Sequence, residues 1–422
     1  MIAPVRHTFL RHWLLMGVTA AVAAPSPVLR LLEVTGGPYP DLPSTAESAL
    51  FGVAILAAAF LLTWMAEVAE REISATLALA FLALIAVLPE YAVDIFFAWT
   101  APGNPEHAEF ALANMTGANR LLVGFAWPLV FLIFWLRERK GKLDVGHQNS
   151  LGVVFLGAAT IYSFSIPLRQ HVSLIDSVIL ISLFAVYLFL SSRTPPREAE
   201  LMGPAATIGA LPKVVRWGLV SAAFVFSAGV IFAAAEPFAE GLVESGRELG
   251  IDEFVLVQWL APLASEAPEF LLAAILAARG RAMAGMTVLI SSKVNQWTLL
   301  VGSLPIAYSI SGGTLEPLPM ESRQVEEVFL TAAQSLFAVS ILMSLSISSW
   351  EAALLFVMFS TQLALTAEAV RYGYGIAYLV LALGSFLYDR RFIPQLFLAA
   401  RDTVIQAPSA NPQAPRKDKL RT

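Results

Sequence analysis

Two carboxylates stand inside apolar sequence where a charge is costly. Glu90 in "IAVLPEYAVDIFFAW" and Glu269 in "APLASEAPEFLLAAILAARG" each follow a proline, and each has a second acid close by: Asp94 four residues later and Glu266 three residues earlier. Spacings of three or four put each pair on one helix face. Proline removes a backbone donor and frees a carbonyl one turn back, so both helices are expected to break there and turn backbone oxygens toward the acids. Two basic residues, Arg120 in "ANMTGANRLLVG" and Lys293 in "LISSKVNQWTLLVG", occupy the apolar runs that follow. A charge in the membrane costs at least ~2.5 kcal/mol on insertion scales, so it faces a partner or a wet cavity and marks a functional site.

The elements that must position these groups are membrane spans. Hydrophobic residues make up 57% of the chain and charged residues 14%, against about 25% charged in soluble domains. Apolar blocks of about 17 to 28 residues recur along almost all of it, each long enough to cross a bilayer. Spans are expected near 8–33, 48–68, 75–99, 109–136, 149–168, 173–192, 214–243, 253–278, 283–311, 325–347, 350–368 and 374–388. The first carries "APSP" at 24–27, but its apolar core leads into further apolar sequence and an "RLLEV" exit, so it reads as a span and not as a signal peptide. The fold class is therefore an all-α polytopic membrane protein of about 12 transmembrane helices.

Where the cations fall orients the chain, because cytoplasmic loops carry an excess of Lys and Arg. With the N-terminus inside, twenty of the 27 basic residues lie in cytoplasmic segments and five outside, namely Arg30, Arg169, Arg247, Arg323 and Arg371. The two left over are Arg120 and Lys293. Both termini are expected in the cytoplasm, in a plasma (inner) membrane.

The two charged regions also look like copies. Each has a span with a central Pro-Glu, a short loop, and a span carrying small and amide residues. The first Pro-Glu helix is expected to run outward and the second inward, which makes an inverted repeat. At ~1.5 Å rise per residue, Glu90 lies ~14 Å from the outer end of its span, and Asn119 and Arg120 lie ~15 and ~17 Å from the same side. Glu269 lies ~14 Å and Lys293 ~15 Å from the inner face by the same rise. All converge at mid-depth, where inverted-repeat transporters build their sites.

With "LPE" and "GAN" in one half and "APE" and "SSKVN" in the other, the chain resembles the cation/calcium exchanger superfamily, whose sodium/calcium exchanger membrane region has two α-repeats. The resemblance covers roughly 48–368 and implies an inverted 5+5 helix repeat with one extra helix at each end. The division is 1–47 for the extra N-terminal helix and outside loop, 48–192 for the first repeat, 193–213 for a cytoplasmic linker, 214–370 for the second repeat, 371–407 for the extra C-terminal helix and 408–422 for a disordered basic tail. It further implies alternating access around a central cation site, exchanging sodium or protons against calcium or another cation. Carried over by position, Glu90 and Glu269 match the acidic metal ligands, Asn114 and Asn119 the polar positions of the first repeat, and Ser291, Ser292 and Asn295 those of the second. The family usually reads Gly-Thr-Ser-x-Pro-Glu; here Ala86 and Val87 replace the hydroxyl pair in the first copy, and Ser265 and Glu266 stand there in the second. Asp94, nearer the outer end, lines an entrance or joins the site.

The family has no basic residue where Arg120 and Lys293 stand. Glu90, Asp94, Glu266 and Glu269 set against these two cations leave a formal charge that matches one divalent or two monovalent cations. Lys293 is expected to be a resident counter-ion to Glu269 or Glu266 that exchanges a proton during transport, since a lysine yields its proton when buried and an arginine does not. Arg120 is expected to be a permanent charge. The chain has no cysteine, which excludes thiolate metal sites and disulfides. Its five histidines are scattered, and no Ser/His/Asp arrangement or phosphate loop appears. These absences speak against an enzyme, and no cofactor is expected beyond the transported Na+, H+ or Ca2+. The partners are the lipid bilayer and inorganic cations, with no nucleic acid. The rival readings are a sodium/proton antiporter on the same scaffold and a degenerate membrane protein that transports nothing.

Overall fold

In lipid a backbone must satisfy its own hydrogen bonds, so apolar runs of this length have to become helices. The computed structural model describes residues 3–70, 88–193, 201–365 and 367–405, and in these ranges it is almost wholly helical. The chain opens with α1 (Ala3–Ala23), α2 (Pro25–Thr35) and α3 (Ser44–Glu70). Next come α4 (Leu88–Thr100), α5 (Glu106–Leu121), a π turn at Leu122–Ala126, and α6 (Trp127–Glu138). The first half closes with α7 (Ser150–Ser163), α8 (Ser165–Arg169) and α9 (Leu174–Ser191). After the short α10 (Pro204–Gly209), the second half repeats the plan: α11 (Lys213–Leu249), α12 (Glu253–Ala278), α13 (Ala282–Asn295), a π turn at Gln296–Leu300 and α14 (Val301–Gly312). It ends with α15 (Ser322–Leu342), α16 (Ser349–Ala364), α17 (Glu368–Asp389) and α18 (Phe392–Ile405).

Among the described residues nine helical stretches are long and apolar enough to cross a bilayer. The expected spans near 75–99, 283–311 and 350–368 are not among them. The first is described only from Leu88, and the last holds 16 residues of helix in α16. The 283–311 segment is one helical run through its π turn. The part of the first Pro-Glu span from 75 to 87, residues 194–200 of the 193–213 linker and the tail at 408–422 lie outside the described residues.

Two expectations need adjusting. The "APSP" segment bends the first span without ending it: Ala24 keeps helical angles and Pro25 opens α2, where a missing N–H costs nothing. At the C-terminal end two helices replace the one expected over 371–407, because the Asp389–Arg390–Arg391 run divides α17 from α18.

The repeats interlock. α3 packs along α11, and α12 lies against both α5 and α13. Gly117 makes the α5–α12 approach possible: a Cβ there would stand 1.8 Å from the carbonyl oxygen of Gln258. Two short antiparallel pairings tie loops of one half to loops of the other. β1 (Lys142–Asp144) joins β4 (Ser346–Ser348), and β2 (His171–Val172) joins β3 (Leu318–Pro319). Each pairing joins loops that the alternation of spans assigns to the same face. Trp127, Trp297, Phe97 and Phe337 fill the interior between these helices.

Candidate functional site

The four central acids are all buried: Glu90 at 1%, Asp94 at 0%, Glu266 at 0% and Glu269 at 7% exposure. α4 presents Glu90 in its first turn and Asp94 one turn later. α12 presents Glu266 and Glu269 on its buried side. The carboxyl groups of Glu90 and Glu266 lie close enough to interact, so the two repeats meet through their acids. Gln296 donates to Glu266 Oε1 and, at 3.2 Å, to Ser292 Oγ. Asn114 donates to Asp94 Oδ1 at 2.8 Å. One oxygen of each acid has no hydrogen-bond donor, namely Glu90 Oε2, Asp94 Oδ2, Glu266 Oε2 and Glu269 Oε2, and the amide oxygens of Asn114 and Gln296 are likewise free. Buried oxygens are almost always satisfied. An unsatisfied set of hard oxygens is what protons or hard cations would fill. Among the described residues the acids do not close into a three-ligand metal set; Glu90 and Glu266 face each other instead.

Four corrections follow. The expected proline break is absent from the second repeat, where α12 runs unbroken through Pro262 and Pro268. A proline in a helix packed on several sides loses one bond without ending the helix. The irregular backbone lies one helix later in both halves, as the π turns at Leu122–Ala126 and Gln296–Leu300. Such turns shift the register by one residue and often sit at functional positions.

Lys293 is fully buried, but its direct partners are not carboxylates. Its Nζ donates to Asn119 Oδ1 at 2.8 Å and to the Asn119 carbonyl at 3.1 Å, and it lies 4.8 Å from the Trp297 ring centre. Glu266 is the central acid whose charge acts on it most. Asn119 and Lys293 are equivalent positions, each three residues before its π turn. They touch where the two halves meet.

Arg120 leaves the acid cluster altogether. It ion-pairs with Glu327 and lies 4.9 Å from the Trp259 ring centre. It is a permanent buried charge, though not a counter-ion of the central acids. Ser291 is exposed on the outer side of α13 and reaches none of them. One residue before Ser292 on a helix points about 100° away, which is why the neighbours differ.

The remaining expected residues take lesser places. Asn295 Oδ1 accepts from the Tyr91 hydroxyl at 3.1 Å, which links α13 to α4. Ser265 is buried, but its hydroxyl donates back to the Ala261 carbonyl at 3.2 Å. Ser292 touches the site through Gln296. Sequence reading missed Gln296, Tyr91 and Glu327. An amide one turn after Ser292 in an apolar run is the signal that would have found Gln296.

Comparisons with known proteins agree with the fold. Residues 44–193 and 219–367 match the family model described as sodium/calcium exchanger protein. The solved structure of the H+/Ca2+ exchanger CAX is 40% identical, covers 94% of this chain and 99% of its own, and superposes with a TM-score of 0.88. Native YfkE is 17% identical, covers 88% of this chain and 99% of its own, and superposes at a TM-score of 0.57, a likeness of fold. Among curated proteins none matches significantly.

Proposed function

Since the chain belongs to the sodium/calcium exchanger protein family, we propose that it is a secondary cation antiporter that exchanges protons against calcium or a similar divalent cation. The observation that carries this reading is the carboxyl–carboxyl contact between Glu90 and Glu266. Two carboxyl groups hydrogen-bond only when one of them holds a proton, so a facing pair suits a proton-loaded arrangement. A cation that needs both carboxylates must displace that proton, and this exchange couples the two fluxes. The likeness to CAX, named as an H+/Ca2+ exchanger, supports the same pair of ions.

Each residue has a role in the exchange. Glu90 and Glu269 are the principal cation ligands. Glu266 shares the proton with Glu90 and takes the field of Lys293. Asp94 and Asn114 extend the oxygen set toward one end, and Gln296 orients Glu266. Asn119, by holding Lys293, keeps an ammonium beside the acids without neutralising any of them directly. Once the shared proton has left, four carboxylates and one ammonium carry three negative charges, enough to hold one divalent ion. Alternating access would expose this site to each side in turn as the repeats rock against each other. The distribution of basic residues supports cytoplasmic termini. Transport of this kind requires no bond-making chemistry, so we read no enzymatic role.

Calcium uptake into proteoliposomes under imposed gradients tests the reading. A proton gradient is expected to drive uptake, with acidification on the loading side slowing it because protons and cation compete for the same oxygens. Uptake that responds to a sodium gradient and ignores a proton gradient would overturn proton coupling. Sodium/proton exchange without calcium movement would favour the monovalent antiporter.

A further inference from the structure

A second set of charges is buried outside the four central acids. Arg120, Glu326, Glu327 and Arg371 are each no more than 5% exposed. Glu327 is shared between two arginines: Oε2 pairs with Arg120, and Oε1 takes a bond from Arg371 Nη1. Arg371 Nε lies 3.5 Å from Glu326 Oε1. The outer end of this set opens into a cavity of about 390 Å³ whose walls include Glu326, Glu368 and Arg371. The inner end is Arg120, whose carbonyl accepts from Gln334 at 3.4 Å. The chain neighbour of Arg120 is Asn119, which holds Lys293 by two bonds. α17, which carries Arg371, begins where the family match ends.

We propose that Glu327 is a positioning residue of the transport site. It anchors Arg120 and thereby fixes the last turn of α5, so that Asn119 offers both its oxygens to Lys293. Arg371, on a helix outside the repeats, completes the anchor. The planar guanidinium sets direction as well as distance, which a point charge on lysine does not. A carboxylate buried between two arginines pairs with both. The extra C-terminal helix thus reaches the centre of the exchanger through one carboxylate. α17 packs closely along α15, which keeps Arg371 in reach.

This inference rests on the exchanger reading, and a double-mutant cycle separates the two. Glu327→Gln and Lys293→Gln are made singly and together, then measured for the calcium concentration giving half-maximal uptake and for melting temperature. Glu327→Gln alone is expected to change the half-maximal concentration by roughly threefold or more, with that factor shrinking toward one in the Lys293→Gln background. Glu327→Asp should recover most of the change. Arg371→Gln, which keeps the Arg120–Glu327 pair, should act in the same direction more weakly, and it carries the comparison if Glu327→Gln does not fold. An equal factor in both backgrounds, or a lower melting temperature with unchanged uptake kinetics, overturns the inference and leaves a plain structural ion pair. If the wild-type protein moves no cation, the exchanger reading fails and the melting-temperature cycle decides alone: coupling sustains the Glu327–Lys293 linkage, and additivity removes it.

Discussion

The two repeats share a backbone plan and divide the chemistry between them. In each, a Pro-Glu helix lies against a helix that ends in a π turn. Each repeat also puts one basic residue just before that turn, Arg120 in the first and Lys293 in the second. Lys293 stands three residues before its turn and Arg120 two before its own. One residue of offset rotates a side chain by about 100° around the helix. Arg120 therefore swings out to Glu327, while Lys293 points inward and finds Asn119, its own counterpart. Inversion symmetry fixes where backbones run. Single-residue register decides which half supplies the charge at the centre.

The largest expected effect tests whether the acids of both halves are needed. Glu90→Gln and Glu269→Gln should each lower calcium uptake in proteoliposomes at least about a hundredfold, the scale of losing roughly 3 kcal/mol at a buried charged contact. Near-normal uptake in either variant would confine the cation to one repeat.

Arg120→Gln should lower stability and, by freeing Asn119, change the half-maximal calcium concentration about as Glu327→Gln does. It leaves Glu327 with Arg371 as its remaining arginine partner, and breaking a buried pair costs about 3 kcal/mol. A large fall in melting temperature with an unaltered pH profile of uptake is expected. A shifted pH profile would put Arg120 back among the groups that titrate with the cation.

Lys293→Gln should show the opposite balance. Removing the ammonium beside Glu266 is expected to alter apparent calcium affinity by about tenfold, or ~1.4 kcal/mol, and to change the pH dependence of uptake. Unchanged affinity and pH profile would make Lys293 a packing residue. The smallest effect belongs to Ser291→Ala, an exposed position expected within about 0.5 kcal/mol in stability and unchanged in transport. Ser292→Ala, which removes an acceptor from Gln296, should weaken uptake measurably more.

The acids were legible in sequence because a charge in an apolar run has few places to go. Glu90, Asp94, Glu266 and Glu269 all proved buried, and the first and third of them touch. The proline break of the second repeat was misread because proline removes one hydrogen bond, and whether a helix then ends depends on what packs around it. Gln296 and Tyr91 carried no net charge, so nothing in an apolar run marked them apart from ordinary helix-packing residues. Glu327 was hidden for a different reason. It sits early in its span beside Glu326, a position that looks interfacial, and its partner Arg120 is in the other half of the chain.

The amino-acid sequence by itself determined the membrane class and the two-repeat plan, because span length, charge exclusion from lipid and repeat pattern are all local along the chain. Which charge meets which was decided only in three dimensions. Partners such as Lys293 and Asn119, or Arg120 and Glu327, lie in different halves. Whether their side chains point together depends on helix rotation, π-turn register and close approaches such as that at Gly117. No local pattern encodes those relations, since a turn of one residue redirects a side chain without changing the hydrophobic period that sequence displays.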